Sequence, residues 1–128
     1  MNCLFCDSSF IEKNKIIENK YWVSIYDGYP LTKGHTLIIP KRHIKSFFDI
    51  SSFRMFLALF KMLWRVKKIL IDTYHPTGFN IGINDGVDGG QTIPHLHIHL
   101  IPRYKNDGGK PCGVRNIFPS SKANYLNK

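Results

Sequence analysis

The stretch His95-Leu96-His97-Ile98-His99-Leu100-Ile101 decides the fold and the chemistry that we predict for this sequence. Polar and aliphatic residues alternate along it, which is the pattern of a strand with one face on a core and one face open. Alternate side chains of a strand share a face, so His95, His97 and His99 line up over ~13 Å. The intervening aliphatic side chains share the opposite face, and we expect them to pack under a helix.

Three imidazoles in one row favour a functional site over a half-buried strand with a polar outer face. Half of the chain's six histidines occupy alternate positions of one five-residue segment. Neutral imidazole is a common metal ligand. It can equally attack phosphorus while a neighbouring imidazole donates a proton. The histidines alone leave both chemistries open.

A glycine-rich loop directly before the histidines favours phosphate chemistry over a bare metal site. The backbone N–H groups of residues 86–92 are expected to form a concave nest for phosphate oxygens. Asn84 and Gln91 add amide donors, and Thr92 adds a hydroxyl group.

The rest of the chain predicts further strands and one long helix. Strand patterns cover residues 15–18, 21–26, 35–39, 79–84 and 93–101, and the helix runs from Ser51 or Ser52 to about Asp72. Its apolar residues step by three and four onto one face. We expect that face to be a core face, part of which is available as a dimer seam: Phe53, Phe56, Leu57, Phe60, Leu63 and Trp64.

Length and composition fit a single domain over residues 1–128, with a core at about 3–103 and a largely irregular tail at 104–128. The chain is 43% hydrophobic and has a formal net charge of +9, which favours anionic partners. Lysine and arginine are spread along the chain, so we do not expect a nucleic-acid partner. We see neither a secretory signal nor a membrane-spanning run, and we expect a cytoplasmic protein without a membrane partner.

Two segments resemble the signature of the histidine triad (HIT) family. One runs from Asn84 through Gly90-Gln91-Thr92-Ile93-Pro94 and the histidines to Pro102-Arg103. The other is Gly34-His35-Thr36-Leu37-Ile38-Ile39-Pro40-Lys41-Arg42-His43. The resemblance implies an α+β, HIT-like fold, with a mainly antiparallel sheet of about five strands and one long helix packed on it. Many members of the family are homodimers, which we therefore expect here.

The resemblance also implies roles for the histidines. His97 matches the nucleophile, which attacks the α-phosphorus of a nucleotide and forms a covalent nucleotidyl-histidine. The main-chain carbonyl of His95 holds one nitrogen of His97, which leaves the other nitrogen to attack. His99 contacts the phosphate and assists the leaving group, and His35 lies behind the triad as a supporting residue.

The nucleotide contacts follow from the same resemblance. Asn84, Gly90, Gln91 and Thr92 match positions near the phosphates, and we rank Gln91 below Thr92. Asp27 matches a position that binds the ribose hydroxyls, although a plain turn residue fits the sequence equally well.

Cys3 and Cys6 have the spacing of a zinc knuckle, with an incidental or redox-active pair of thiols as the alternative. Structural zinc usually takes four ligands. The resemblance to bacterial members of the family supplies His43 and His95 as the other two. We expect a structural zinc ion and no organic cofactor.

Together these features predict a nucleotide phosphohydrolase or nucleotidyl transferase with a purine nucleotide as substrate. It would act at the α-phosphate of a nucleoside phosphoramidate or of a dinucleoside polyphosphate. Two other classes are compatible with the sequence: a nucleotide-binding regulatory module with incidental catalysis, and a basic nucleic-acid-binding protein.

Overall fold

The computed structural model describes residues 3–109 and 113–117 and contains one antiparallel sheet with a long helix across one face. The strands are β1 (Lys15–Glu18), β2 (Trp22–Tyr26), β3 (Thr36–Pro40), β4 (Gly78–Gly82) and β5 (Ile98–Arg103). The helices are α1 (Ser8–Asn14) and α2 (Phe53–Tyr74), with short 3-10 helices at Leu4–Cys6, Phe47–Asp49 and Gly113–Ile117. The strand order is β1-β2-β3-β5-β4, and every neighbouring pair is antiparallel. The predicted α+β fold with five strands and one long helix is confirmed.

The strand that carries the histidines begins later than the sequence predicts. It starts at Ile98 rather than at residue 93, because β3 pairs with it over only three residues. His95 and His97 therefore precede the ladder, and His95 lies in a bend where its N–H donates to the Ile93 carbonyl (2.8 Å). A backbone hydrogen bond from the Leu96 N–H to the Ile44 carbonyl (2.8 Å) holds this segment in place. The alternation survives outside the ladder, since the aliphatic residues between the histidines are buried in the core under α2.

The same strand also continues past Pro102, where the sequence predicts its end. Proline cannot donate to a ladder, so it is tolerated in a strand only where no partner needs its N–H. The Thr32 hydroxyl donates to the Pro102 carbonyl on the side where β3 has already ended. The missing N–H therefore costs no strand pairing. The other strand ends and the helix end differ from the prediction by one or two residues, which is the usual uncertainty of such boundaries.

The face of α2 that packs on the sheet differs from the predicted core face. The residues that α2 buries against the sheet are spaced by four, three, four and four: Met55, Leu59, Met62, Val66 and Leu70. The predicted stripe is wrong as a core face, because Phe53 is 79%, Phe60 55% and Trp64 72% exposed. Of that stripe, Leu57 is exposed as well, and Phe56 and Leu63 are partly buried at the margin of the core.

Two hydrogen bonds set the rotation of α2 about its axis. The indole N–H of Trp22, a fully buried residue of β2, donates to the Met55 carbonyl (2.8 Å). The Asn19 amide, at the turn between β1 and β2, donates to the Ala58 carbonyl (3.1 Å). Both donors lie in β2 or in the turn before it, so the Met55 side of the helix faces the sheet. Periodicity cannot choose between two neighbouring apolar arcs of one helix, whereas these contacts do.

The opposite face of the sheet is covered by the N-terminal segment, which includes a helix that the sequence did not predict. The carboxylate of Asp7 caps α1 by accepting from the N–H groups of Ser9 (3.0 Å) and Phe10 (3.4 Å). Phe5 is buried there, in a cluster with residues of β2 and β3: Val23, Ile25, Leu37 and Ile39. The N-terminus therefore lies on the face of the sheet that carries the histidines.

In the tail, residues 104–109 form turns and bends, and Gly113–Ile117 is a short 3-10 helix. The rest of the tail, with Cys112, lies outside the described residues, so its irregularity stays a prediction. Among residues 3–109 and 113–117, no helix has the length and apolarity that crossing a membrane would require.

Candidate active site

His97 is held in a defined protonation pattern by the main chain. Its Nδ1–H donates to the carbonyl of His95 at 2.9 Å. A neutral imidazole has one N–H and one lone pair, so Nε2 carries the lone pair. No buried side-chain nitrogen or oxygen of the described residues lacks a hydrogen-bond partner, and Nε2 has none, so it is open to solvent. The edge of the ring packs against Phe5, with 5.3 Å between the ring centroids. His97 can therefore act as a nucleophile through Nε2.

His95 is fully buried and is held at both ring nitrogens. Its Nε2–H donates to the Pro40 carbonyl at the end of β3 (2.9 Å). Its Nδ1 lies 3.3 Å from Cys3 Sγ and 3.1 Å from His43 Nδ1. Burial is the main cause that lowers the pKa of His95, so the ring is neutral at neutral pH.

The four residues Cys3, Cys6, His43 and His95 form a cluster that can bind a metal ion. Their ligand atoms all lie within 4.8 Å of one another, and Cys6 Sγ is 3.1 Å from His43 Nδ1. Tetrahedral zinc with ordinary bond lengths places its nitrogen and sulfur ligands about 3.3–3.8 Å apart. The donor set and the spacing both fit such an ion. The Pro40 carbonyl adds the outer hydrogen bond that typically orients a metal-binding histidine.

His99 belongs to a second cluster, on the other side of His97. Its Nδ1 lies 3.0 Å from His35 Nε2, and Asp27 Oδ2 lies 3.5 Å from the same His35 nitrogen. His35 Nδ1 accepts a hydrogen bond from the Leu31 N–H (3.1 Å). Burial, and then the neighbouring histidines, lower the pKa of His99 from its ordinary value of 6.5 to about 4. His35 is thus placed behind the triad, where the resemblance puts it.

A glycine allows the loop before β3 to bring His35 into this position. Gly34 has a φ of +86°, and a Cβ atom there would lie 2.9 Å from a ring carbon of Tyr74, at the end of α2. Both the conformation and the close approach require glycine.

Asp27 makes the turn contact that the sequence allowed and also faces the histidines. Its Oδ1 accepts from the Tyr29 N–H at 2.8 Å, as in a side-chain-stabilised turn. Its Oδ2 faces His35 Nε2. The ribose contact of Asp27 stays a prediction, and the structure brings the carboxylate to the edge of the triad.

The glycine-rich loop is braced by internal hydrogen bonds, and the predicted phosphate nest stays a prediction. The N–H groups of Gly86, Gly89, Gly90 and Gln91 all donate to acceptors within the loop. Gln91 is not an available amide donor, because its Nε2 donates to the carbonyls of Lys45 (2.9 Å) and Ile93 (3.1 Å). These four backbone N–H groups and the Gln91 amide therefore hold the loop instead of offering donors to a phosphate.

Two of the predicted phosphate ligands keep their donors. The Asn84 amide and the Thr92 hydroxyl have no hydrogen-bond partner among residues 3–109 and 113–117. Gly90 lies beside Asn84, where a Cβ atom would be 3.8 Å from the amide carbon. Asp85, which the sequence analysis missed, anchors this end of the loop by accepting from the hydroxyl of Ser46 (2.8 Å).

A five-stranded antiparallel sheet, one long helix and a row of histidines ordered by the main chain together define a histidine triad domain. The HIT domain profile matches residues 9–106. The chain belongs to the HIT domain family.

Curated relatives include proteins with and without an assigned activity. "Protein hit" of Bacillus subtilis (strain 168) is 34% identical over 110 residues, which cover 84% of this chain and 75% of that protein. The asymmetrical bis(5'-nucleosyl)-tetraphosphatase of Schizosaccharomyces pombe is 40% identical over 78 residues, 61% of this chain and 42% of that enzyme.

Solved structures share the fold. A HIT family protein from Bacillus anthracis aligns with a TM-score of 0.75 and 29% identity over 98% of this chain and 92% of that chain. A Zn-bound histidine triad family protein from Mycobacterium smegmatis has a TM-score of 0.70 and 32% identity over 82% and 77% of the two chains. Plasmodium falciparum diadenosine triphosphate hydrolase has a TM-score of 0.68 and 30% identity over 77% and 67%.

The lowered pKa of His99 predicts how stability depends on pH. The unfolded chain takes up this proton near pH 6.5, whereas the folded protein takes it up only near pH 4. Between these values the unfolded state binds more protons, so the free energy of unfolding falls as the pH falls from about 6.5 to about 4. Urea unfolding at several pH values should show a shallower fall for His99→Gln. His75→Asn is the matched control, since His75 is exposed at the end of α2 with a φ of 56°, which asparagine accepts. Equal slopes in all three proteins would contradict the prediction.

Proposed function

We propose that this protein is a nucleotide phosphohydrolase or nucleotidyl transferase that works through a nucleotidyl-His97 intermediate. The observation that carries the proposal is the 2.9 Å hydrogen bond from His97 Nδ1 to the His95 carbonyl. It gives His97 a solvent-accessible lone pair at Nε2 without any need for a separate base. The substrate is a purine nucleoside phosphoramidate or a dinucleoside polyphosphate.

The reaction proceeds in two displacements at the α-phosphorus. The His97 Nε2 lone pair forms a bond to phosphorus, and the P–N or P–O bond to the leaving group breaks with its electron pair on the departing atom. That atom takes a proton from solvent. Water or another acceptor then attacks phosphorus and loses its proton to solvent, the Nε2–P bond breaks, and the nucleoside monophosphate or its adduct leaves. His97 regains its lone pair.

The surrounding residues bind and orient the substrate. The Asn84 amide and Thr92 hydroxyl donate to the phosphate oxygens, and Gly90 leaves room for them beside Asn84. Asp27 accepts from the ribose hydroxyls through the oxygen that faces His35. Gln91 contributes by bracing the loop rather than by touching the phosphate. The S. pombe and P. falciparum relatives, which are named for dinucleoside polyphosphate hydrolysis, support a nucleotide substrate.

Mutation of the nucleophile separates this proposal from its alternatives. Turnover of adenosine and guanosine phosphoramidates and of diadenosine tri- and tetraphosphate is measured by chromatography of the released nucleoside monophosphate. His97→Ala is expected to lose turnover and keep most of its nucleotide affinity, because only the attacking atom is removed. His75→Asn, outside the site, should match the wild type.

Other outcomes identify the other classes. Nucleotide binding without turnover in the wild type would favour a regulatory binding module. Tight DNA or RNA binding that persists at high salt would favour a nucleic-acid protein, since weak electrostatic binding falls steeply with salt.

We propose that the cluster of Cys3, Cys6, His43 and His95 binds one structural zinc ion. Two thiolates and two imidazoles leave no open position for water, so the ion would anchor the N-terminus to the histidine segment. The Zn-bound relative from M. smegmatis supports zinc as the metal. Thiolate ligands must stay reduced, which agrees with the cytosol as the proposed compartment.

Metal analysis tests the zinc proposal. Elemental analysis of purified protein should give close to one zinc per chain, and Cys6→Ser should lower both the zinc content and the melting temperature. Cys112→Ser removes a thiol outside the proposed ligand set and should change neither. A metal-free wild-type protein of the same melting temperature would rule out a structural zinc ion.

We propose that the protein forms a homodimer through the exposed apolar arc of α2 and the edge strand β4. The arc consists of Phe53, Phe60, Trp64 and Ile71, all exposed. Phe47 links this helix to the segment after β4: its N–H donates to the Asp85 carboxylate, and its ring packs against Phe56 with 5.6 Å between the ring centroids. Ile81 of the edge strand β4 is exposed as well. A second copy related by a twofold axis would cover an apolar surface that monomers rarely expose.

Light scattering after size-exclusion chromatography tests this interface. The wild type should elute at twice the chain mass of 14.8 kDa. Trp64→Glu should give a folded monomer, because a charge replaces the centre of the apolar arc. Arg65→Glu, the next residue but on the basic side of the helix, should stay dimeric. A monomeric wild type would refute the dimer.

A further inference from the structure

The hydrogen bonds within the cluster of Asp27, His35 and His99 determine which ring nitrogens of the two histidines carry a hydrogen, a point that the proposed function does not use. Two imidazoles and a carboxylate within 4.8 Å of one another have the composition of a metal site. They also have the composition of a hydrogen-bonded chain. The direction of the bonds decides between the two.

The series of hydrogen bonds begins at the main-chain N–H of Leu31, which does not titrate. The Leu31 N–H donates to His35 Nδ1 at 3.1 Å, so this nitrogen carries the lone pair. A neutral His35 must then carry its hydrogen on Nε2. His35 is buried, and burial lowers its pKa more than the Asp27 carboxylate raises it, which agrees with a neutral ring. A metal ion would need a lone pair on Nε2, so this cluster is a hydrogen-bonded chain rather than a metal site.

The hydrogen bond between His35 and His99 determines which nitrogen of His99 accepts. The two facing nitrogens, His35 Nε2 and His99 Nδ1, are 3.0 Å apart, which is the distance of a hydrogen bond. Since His35 Nε2 donates, His99 Nδ1 must accept. The opposite tautomer of His99 would set its Nδ1–H against the N–H of His35 in a half-buried site, and the His99 N–H would have no acceptor there, because the nearby Asp27 carboxylate faces His35 Nε2.

The hydrogen of His99 therefore lies on its other nitrogen. His99 Nε2 is across the ring from His35 and has no hydrogen-bond partner among residues 3–109 and 113–117. No buried side-chain nitrogen of those residues is unpartnered, so this N–H is open to solvent. The ring of His99 lies edge-on to that of His97, with 5.2 Å between the centroids.

We propose that His35 is a positioning residue that fixes His99 in the Nε2–H tautomer, so that His99 meets the scissile phosphate as an uncharged hydrogen-bond donor. The proposal rests on the proposed nucleotide chemistry for its last step and on the hydrogen bonds alone for the tautomer. His99 keeps its proton throughout the reaction and stabilises the negative charge that develops as the bond to the leaving group breaks. Such a donor acts mainly in the transition state and contributes to kcat more than to substrate affinity.

NMR spectroscopy of protein labelled with 15N-histidine reads the tautomer directly. Long-range 1H–15N spectra at pH 7, with the His99 signals assigned by their loss in His99→Gln, should show the hydrogen on Nε2. In His35→Leu this preference should disappear. In His35→Gln it should persist, because the glutamine amide nitrogen can donate from the same place. A wild-type His99 that carries its hydrogen on Nδ1, or a tautomer unchanged in His35→Leu, would overturn the proposal.

If His35→Leu does not fold, a second pair of variants tests the hydrogen bond from the Leu31 N–H to His35. Leu31 has an exposed side chain. Leu31→Pro removes the N–H that His35 accepts, and Leu31→Ala keeps it. The proline variant should lose the His99 tautomer preference and the alanine variant should keep it. The same tautomer in both would overturn the proposal, as would a second bound zinc equivalent that His35→Leu removes.

Kinetics then test the role of the tautomer. His35→Leu should lower kcat by roughly 10- to 100-fold, short of the ~100- to 1,000-fold loss on deleting a donor outright. KM should change little, and His35→Gln should recover most of kcat. An equal loss in both variants would show that His35 acts only as packing. A wild type with the expected tautomer but no turnover would refute the proposed function and leave the tautomer assignment standing.

Discussion

The hydrogen bond from His97 Nδ1 to the His95 carbonyl is the contact on which the rest of the site depends. That carbonyl is in place only because His95 is held from two further directions. Its Nε2 is bound to the end of β3 at Pro40, and its Nδ1 lies in the cluster with the two N-terminal cysteines. His97, which is the proposed nucleophile, is therefore connected through His95 to the end of β3 and to the two N-terminal cysteines. This arrangement explains why the N-terminal segment crosses the histidine face of the sheet rather than the face that α2 covers.

The alternation around the histidines was enough to predict which side chains face the core, because aliphatic side chains at every second position must be buried, whereas the fold as a whole followed from the family resemblance. This holds even where His95 and His97 precede the strand ladder, so the pattern predicts the face of a side chain better than it predicts pairing. The rotation of α2 could not be predicted in the same way. The helix has two neighbouring apolar arcs, and the choice between them depends on a bond from Trp22 to a main-chain carbonyl. The seven-residue helix α1 is too short to show a period, and its only signal is the cap at Asp7.

Sequence reasoning placed the site's side chains better than it placed their partners. The four members of the cysteine–histidine cluster, the triad and His35 are found where the motifs and the resemblance put them in space. The groups that orient them are main-chain atoms at Pro40, His95 and Leu31, and no residue type marks such atoms in a sequence. The loop shows a second limit of sequence reasoning. Gly86, Gly89 and Gly90 suggest a phosphate nest, but in a short loop their N–H groups first satisfy the loop's own carbonyls, because an unpaired backbone group is costly.

His97 and His99, the two histidines that would face the proposed substrate, carry opposite tautomers, and the main chain accounts for both. A carbonyl at His95 takes the Nδ1–H of His97 and turns a lone pair outward, whereas an amide N–H at Leu31, acting through His35, turns the Nε2–H of His99 outward. Attack on a phosphate ester needs one of each: a lone pair for the phosphorus and a donor for the charge that the attack creates. Carbonyl and amide groups do not titrate, so the two opposite tautomers do not depend on a charged partner whose ionisation could change with pH. Burial, which lowers the pKa of His99, keeps its ring neutral and so protects the same pair of tautomers.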